Sequence, residues 1–420
     1  MNHYSVAKQA NEIKTRIHHD SERYDETFRV GVEIEACLLD DNGIPVNAEP
    51  LIKELEGTKH KVDYEYGICQ FEYKTLPTPM DRLLDLNTEI EEFIEDLDKS
   101  VQKLWRNNNN DVIPVFLGGN PSPLIFKDGL VTDKPRYNQL AQWQSKIPDV
   151  EIDGQKLKAL HVATAIQGFH LHLQAQNSVH TAQMFNHILN LIPSAIVLGA
   201  NSRFLGGKIY SLHEPRIHLY DQSEQQNSGF PTIPRYLDDI DDYIDYIDYI
   251  TSRQPNIAKD YFELEKERHD DVRIRLNSEF YRVEMRIMSV QPTSKALMAL
   301  IEFFIGYLYR AINEERQLRP LAVLREERLA AVRSGYNAQT YFNILETIRS
   351  QLDFAGKGLS ELGLKAQFLN ILESRLENKS TPGEYVVKLW DKKFNGSVEQ
   401  TIVEVINDIW QKTKNNDPIK

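Results

Sequence analysis

The sequence predicts an α+β fold. Five segments up to Met288 alternate apolar and polar residues with the period of two expected of strands, the chain beyond Pro292 reads almost entirely as helix, and no Gly/Ser/Pro-rich linker divides the 420 residues. With 41% hydrophobic and 26% charged residues there is material for a sizeable core, which excludes disorder and fibrous repeats. The simplest organisation is one large unit over residues 1–334 with a helical extension over 335–420 packed on it.

Taken in order, the segment from Phe28 to Leu38 puts Val30, Val32, Ile34 and Ala36 on one face of a strand and Glu33 and Glu35 on the other. Asp41-Asn42-Gly43 supplies a turn, and the segment from Ile68 to Lys74 alternates again, with Gln70, Glu72 and Lys74 together. Thr78 and Pro79 read as the N-cap and first position of a long amphipathic helix reaching Leu104, closed by Asn107 to Asn110. A short strand over Val112 to Leu117 and a loop at Gly118-Gly119-Asn120-Pro121 follow. The stretch from Ile166 to Leu173 returns to period two, with His170 and His172 on the same face.

Residues 181–200 read as a helix, and 201–234 as a long irregular stretch suited to substrate contact. In the run DDIDDYIDYIDYI from Asp238 to Ile250, isoleucines and tyrosines share one helical face, which makes a helix with a solvated acidic side the simpler reading than a metal-binding cluster. The segments from Val272 to Leu276 and from Arg282 to Met288 form a candidate hairpin with the arginines on one face.

Charge and cysteine usage narrow the setting. Sixty-two acidic against 49 basic residues leave a net charge of -13, which repels a phosphate backbone and argues against nucleic acid as a general partner. The first twenty residues contain no continuous apolar run, so no secretory signal or membrane anchor is expected there. The apolar stretch from Ala296 to Tyr309 is interrupted by Glu302 and is shorter than the roughly 20 residues a bilayer needs, so a buried helix is expected. Only two cysteines, Cys37 and Cys69, fit a reducing compartment, by default the cytoplasm.

The polar faces of the five strands carry the chemistry. A half-exposed strand ordinarily offers water a mixture of Thr, Ser, Lys and Gln. Here the faces carry Glu33 and Glu35, then Glu72, then His170 and His172, then Arg273 and Arg275, then Glu284 and Arg286. Side chains two residues apart on a strand project about 7 Å apart, so Glu33 and Glu35 can hold separate divalent ions or bracket one. Carboxylates suit Mg2+, Mn2+ also accepts imidazole, and guanidiniums can neutralise a transferring phosphate or grip a substrate carboxylate. No GxxxxGK[ST] or GxGxxG loop, GxSxG elbow or HExxH helix occurs.

At these residues the sequence resembles the glutamate-cysteine ligase and carboxylate-amine ligase family. GVEIEACLLD from Gly31 matches its G-x-E-x-E opening, and YEYGICQFEYKT from Tyr64 its acid-then-Q-x-E strand. GFHLH from Gly168, NSRFLGG from Asn201 and YRVEMRIMSVQPT from Tyr281 match later motifs, in order over residues 28–293. Arg203 stands where the family usually has proline. The resemblance implies a glutamine-synthetase-like fold, an antiparallel sheet curved into a funnel and flanked by helices, binding ATP and two or three Mg2+ or Mn2+ ions. It implies metal ligation by Glu33, Glu35, Glu65, Glu72, His170 and Glu284. It places Arg286 on the transferring phosphate with Arg273 and Arg275 around the nucleotide and Arg275 also in catalysis, and Arg216 near the substrate or acyl phosphate. Gln70, His172, Asn201, Arg203 and Tyr210 are then candidates for substrate binding.

The expected reaction is ATP-dependent ligation of the γ-carboxylate of glutamate to an amine, with cysteine the conventional partner. Other readings are a different acid or amine, a non-catalytic metabolite-binding protein on the same fold, and a metal-dependent phosphotransferase or hydrolase. Glu33→Gln or Glu284→Gln is expected to abolish turnover with the fold largely intact. The helical tail is expected to cap the funnel or form a homo-oligomer interface.

Overall fold

Strict alternation makes the sheet possible, because a strand with one apolar face can lie on a core while its other face lines a cavity. The computed structural model describes residues 8–15, 28–105, 111–248, 261–276 and 281–420. Its principal sheet comprises β1 (Arg29–Asp40), β2 (Lys61–Tyr64), β3 (Gln70–Lys74), β4 (Thr78–Pro79), β5 (Val112–Val115), β6 (Gly168–Gln174), β7 (Val272–Arg275) and β8 (Arg282–Ser289). The order is β7-β8-β6-β1-β3-β2, with β4 and β5 also paired to the long β1. Every pairing in this sheet is antiparallel.

Register decides which polar side chains meet. Glu33 lies opposite His170 on one side and Lys74 on the other, and Glu35 lies opposite Glu72. Farther along the sheet, Glu284 pairs with His172 and with Arg273. The opposite face is closed by core side chains, with Val30, Val32, Ile34, Leu171, Val283 and Met285 all buried.

The helix Ser178–Gly199, capped by Asn177, packs on β8. The helix Ser294–Asn313 is longer than its apolar run suggested and meets a membrane-spanning criterion by length and composition, yet most of its most apolar stretch is buried within the protein. It crosses the helix Ile344–Glu361 at a glycine contact: a Cβ on Gly306 would lie 2.1 Å from the Ala355 carbonyl oxygen, and one on Gly358 1.9 Å from that of Gly306. Glu302, buried in the same helix, accepts the backbone N–H groups of Gln367 (3.0 Å) and Phe368 (2.8 Å) just ahead of the helix Leu369–Asn378. Arg375 in that helix donates to the carbonyls of Ile419 and Leu198 and to Gln291 Oε1, tying the C-terminal segment to the end of β8.

Two sequence expectations change, while the acidic run forms the helix expected of it. Thr78 and Pro79 pair with Val30 and Arg29, and the long helix begins only at Leu83 after a tight turn over Met80–Arg82. Proline tolerates this position because it lies at a strand edge, where its missing N–H is not needed. The stretch 201–234 is not irregular: it folds into a small hairpin, Phe204–Leu205 with Lys208–Ile209, followed by the helix Pro215–Glu224. The acidic run gives the helix Ile240–Asp248, with Ile240, Tyr243, Ile244 and Ile247 buried, while its last two residues and Asn107 to Asn110 lie outside the described residues.

Candidate active site

Alternation along β1, β3, β6 and β8 aims the charged side chains at one pocket of about 450 Å3. His170 is the hub. Its Nδ1 lies 3.1 Å from Glu33 Oε2 and 3.9 Å from Glu72, and its Nε2 is 3.5 Å from Glu35 Oε1. Two sets of ligand atoms, Glu33–His170–Glu284 and Glu35–Glu72–His170, each lie within 4.8 Å of one another. Carboxylates around an imidazole are a donor set that fits Mg2+ or Mn2+. His172 is partly buried, with Nε2 at 3.5 Å from Glu33 and neither ring nitrogen in a hydrogen bond to protein.

The two ends of this cluster are neutralised differently. Glu284 receives a two-pronged contact from Arg273, with Nε and Nη2 each at 2.9 Å, and a further one from Arg286. Burial opposes the Glu284 charge, but Arg273, Arg286 and His172 outweigh it and hold the carboxyl well below its ordinary range. At the other end, burial and the nearby charges of Glu33 and Glu65 push Glu72 well up. Burial, then Glu35, pushes Glu65 up to about 7. Burial and then Arg286 lower His170 below its ordinary value, against the pull of Glu33 and Glu35, which favours the neutral ring that a metal ligand needs.

Gly168 leaves the space into which the Arg216 guanidinium reaches. Gly168 donates its N–H to Glu35 Oε2, and a Cβ there would lie 2.4 Å from Arg216 Nη2. Arg216 comes from the first turn of the helix Pro215–Glu224 and donates to the carbonyls of Ile287 (3.2 Å) and Arg286 (3.2 Å). Buried Glu214 fixes the helix start, accepting from the Ser202 and Ser289 hydroxyls and the Asn201 N–H.

The other sequence candidates divide. Glu65, Gln70, Arg273 and Arg275 line the pocket, although the Gln70 amide is engaged with the Gly67 N–H and the Ile166 carbonyl. Asn201, Arg203 and Tyr210 are not among the residues lining it. Asn201 donates to the carbonyls of Phe116 and Val290, Arg203 to that of Tyr210, and the Tyr210 hydroxyl to Gln155. Sequence reasoning missed the far wall. There Arg328, from the helix Leu321–Ser334, bridges Asp271 and Asp221 beside Tyr220, Glu224 and His269. No short motif marks these residues: Tyr220, Asp221, Glu224 and Arg328 come from helices whose polar positions read as ordinary surface, and His269 and Asp271 from the short segment just ahead of β7.

With this geometry in place, comparison with known proteins identifies the lineage. The family model for glutamate-cysteine ligase family 2 matches residues 29–353. The chain belongs to that family. No curated protein matches it in sequence. Among solved structures, a bifunctional glutathione synthetase from Pasteurella multocida shares the fold at 13% identity and a TM-score of 0.62, over 92% of this chain and 52% of that one. The chain thus spans about half the length of that relative. A glutamate-cysteine ligase from Francisella tularensis, solved in complex with AMP, matches at 12% identity and a TM-score of 0.60, over 93% and 89% of the respective chains. This family match crosses residue 334, and the α+β architecture with its curved antiparallel sheet is the shared fold.

Proposed function

We propose that the protein is an ATP-dependent carboxylate-amine ligase that joins the γ-carboxylate of glutamate to the amine of cysteine in the cytoplasm. One observation carries this: in a chain of a ligase family, the Glu35–Glu72–His170 cluster suited to a divalent ion lines a single pocket with Glu33, Arg216, Arg273, Arg275 and Arg286. The AMP bound to the Francisella relative supports an adenine nucleotide here.

In this reading a carboxylate oxygen attacks the γ-phosphorus of ATP and the bond to the ADP oxygen breaks, leaving an acyl phosphate. The amine nitrogen then attacks the acyl carbon, phosphate departs with the C–O bond electrons, and the nitrogen loses a proton. Arg286 and Arg275 stabilise the transferring phosphoryl group, with Arg273 alongside, and Arg216 orients the acyl phosphate. The Nε atoms of Arg216 and Arg286 are buried without a hydrogen-bond partner, which suits groups that await an anion, whereas that of Arg275 already lies 3.8 Å from both Glu265 and Glu284. Glu33, Glu35, Glu65, Glu72, His170 and Glu284 would hold Mg2+ or Mn2+, which when bound supplies charge neutralisation for the phosphates. His172, beside Glu33 and Glu284, and Gln70, at the pocket wall, are assigned to substrate positioning. Asn201, Arg203 and Tyr210 act from behind, holding the segment that leads into Arg216. Residues 1–334 form the ligase unit, and the helices of 335–420 brace it.

The test is ADP release by the purified protein with Mg2+ or Mn2+, glutamate and a panel of amines including cysteine, with mass spectrometry of the products. A γ-glutamyl amide formed one-for-one with ADP is expected. No amine-dependent ADP from any mixture would overturn the ligase reading.

A further inference from the structure

Lys74 has no part in the reaction as described above, yet its ammonium lies inside the acidic cluster. It sits two residues beyond Glu72 on β3 and opposite Glu33 on β1, so strand register places it on the ligand-bearing face. Its Nζ is 2.7 Å from Glu72 and 3.8 Å from Glu33, one carboxylate from each candidate metal set. A third carboxylate, Asp63 from the neighbouring β2, lies 3.0 Å away and is about half exposed.

The contrast with Glu284 gives this position its meaning. Glu284 is held by a planar guanidinium fork, a geometry that is costly to break in a buried site. Among the described residues, Lys74 is the one Lys or Arg in an ion pair with Glu72. An ammonium on a flexible stem is a point charge that can swing away, and it cannot share a carboxylate oxygen with a divalent ion a few ångströms off without strong repulsion.

We propose that Lys74 is a built-in cation that occupies the metal-free site, and that divalent ions load the Glu35–Glu72–His170 position as Lys74 withdraws onto Asp63. Lys74 therefore sets the affinity of this position, which fills without disturbing the Arg273–Glu284 pair. Asp63 is the receiving carboxylate that makes withdrawal possible. The inference rests on the metal reading of the proposed function and needs no turnover to be tested.

The experiment is Mn2+ binding to the full chain without nucleotide, followed by calorimetry and by the electron paramagnetic resonance of free Mn2+. Lys74→Gln is expected to bind Mn2+ more than tenfold tighter than the natural protein, Lys74→Arg to remain near or below it, and Asp63→Asn to bind more weakly. Circular dichroism of each variant checks that it is folded. Equal or weaker binding by folded Lys74→Gln would overturn the inference while leaving the metal site in place. No binding by any of these proteins would overturn the metal reading and the inference with it. Should Lys74→Gln fail to fold, weakened binding by Asp63→Asn supports the inference and unchanged binding overturns it.

Discussion

The structure separates two substitutions that the sequence treats alike. Glu33 is about a quarter exposed and is held by histidines and Lys74, whereas Glu284 is 1% exposed and holds Arg273 through two hydrogen bonds at 2.9 Å, with Arg286 beside it. Replacing Glu284 by Gln removes the charge that compensates these guanidiniums and turns an amide NH2 toward donors. Breaking a buried ion pair from one side costs about 3–5 kcal/mol, a large fraction of the 5–15 kcal/mol by which proteins are typically stable. Replacing both partners by groups that leave no buried charge is far less costly. Glu284→Gln is therefore expected to lower the urea midpoint strongly without any ligand, and Glu33→Gln to change it little. Adding Arg273→Met to Glu284→Gln is expected to recover at least half of the lost stability while activity stays absent. Urea denaturation followed by tryptophan fluorescence measures all four proteins. A Glu284→Gln midpoint equal to the natural one, or a double variant less stable than the single, would refute the assignment of Glu284 as the anchor of the arginine cluster.

Two further predictions test positioning and linkage. Gly168→Ala is expected to keep the fold but displace the Arg216 guanidinium, which the new Cβ would otherwise approach to 2.4 Å, and to lower the ADP-release rate by about a hundredfold; an unchanged rate would remove Arg216 from the reaction. Burial pushes Glu302 up to about 7, so between pH 4.5 and 7 the unfolded chain has released this proton while the folded chain retains it, and stability falls as pH rises through that window. At pH 8 Glu302→Gln is expected to be more stable than the natural protein by up to about 3 kcal/mol, with the two alike at pH 4.5; a difference independent of pH would refute the shift.

Much of the site was legible because strand periodicity is a local property. Glu33, Glu35, Glu72, His170 and Glu284 each announce their face within a few residues, and antiparallel register then brings them together. What periodicity does not encode is which strands are neighbours, and there the motif order of the family supplied the missing information. The far wall was illegible for the same reason. Arg328 meets Asp271 and Asp221 across separations of 57 and 107 residues, and nothing local to any of the three signals the contact. Thr78 and Pro79 show the converse error: their local chemistry suits a helix start, but β1 extends far enough to recruit them as an edge.

The arrangement also explains why a sheet rather than a set of loops carries this chemistry. Like-charged carboxylates repel, and on flexible loops they would splay apart when no cation holds them. On paired strands the backbone ladder fixes Glu33 beside His170 and Glu35 beside Glu72, so burial first and the repulsion second appear as the raised proton affinity of Glu72 and Glu65 rather than as disorder. Resident cations relieve it unevenly, with a locked arginine fork at Glu284 and a lysine of looser geometry at Glu72. In the proposed metal reading, a divalent ion entering this sheet would meet ligands already placed, and its binding energy would go into displacing charge rather than ordering chain.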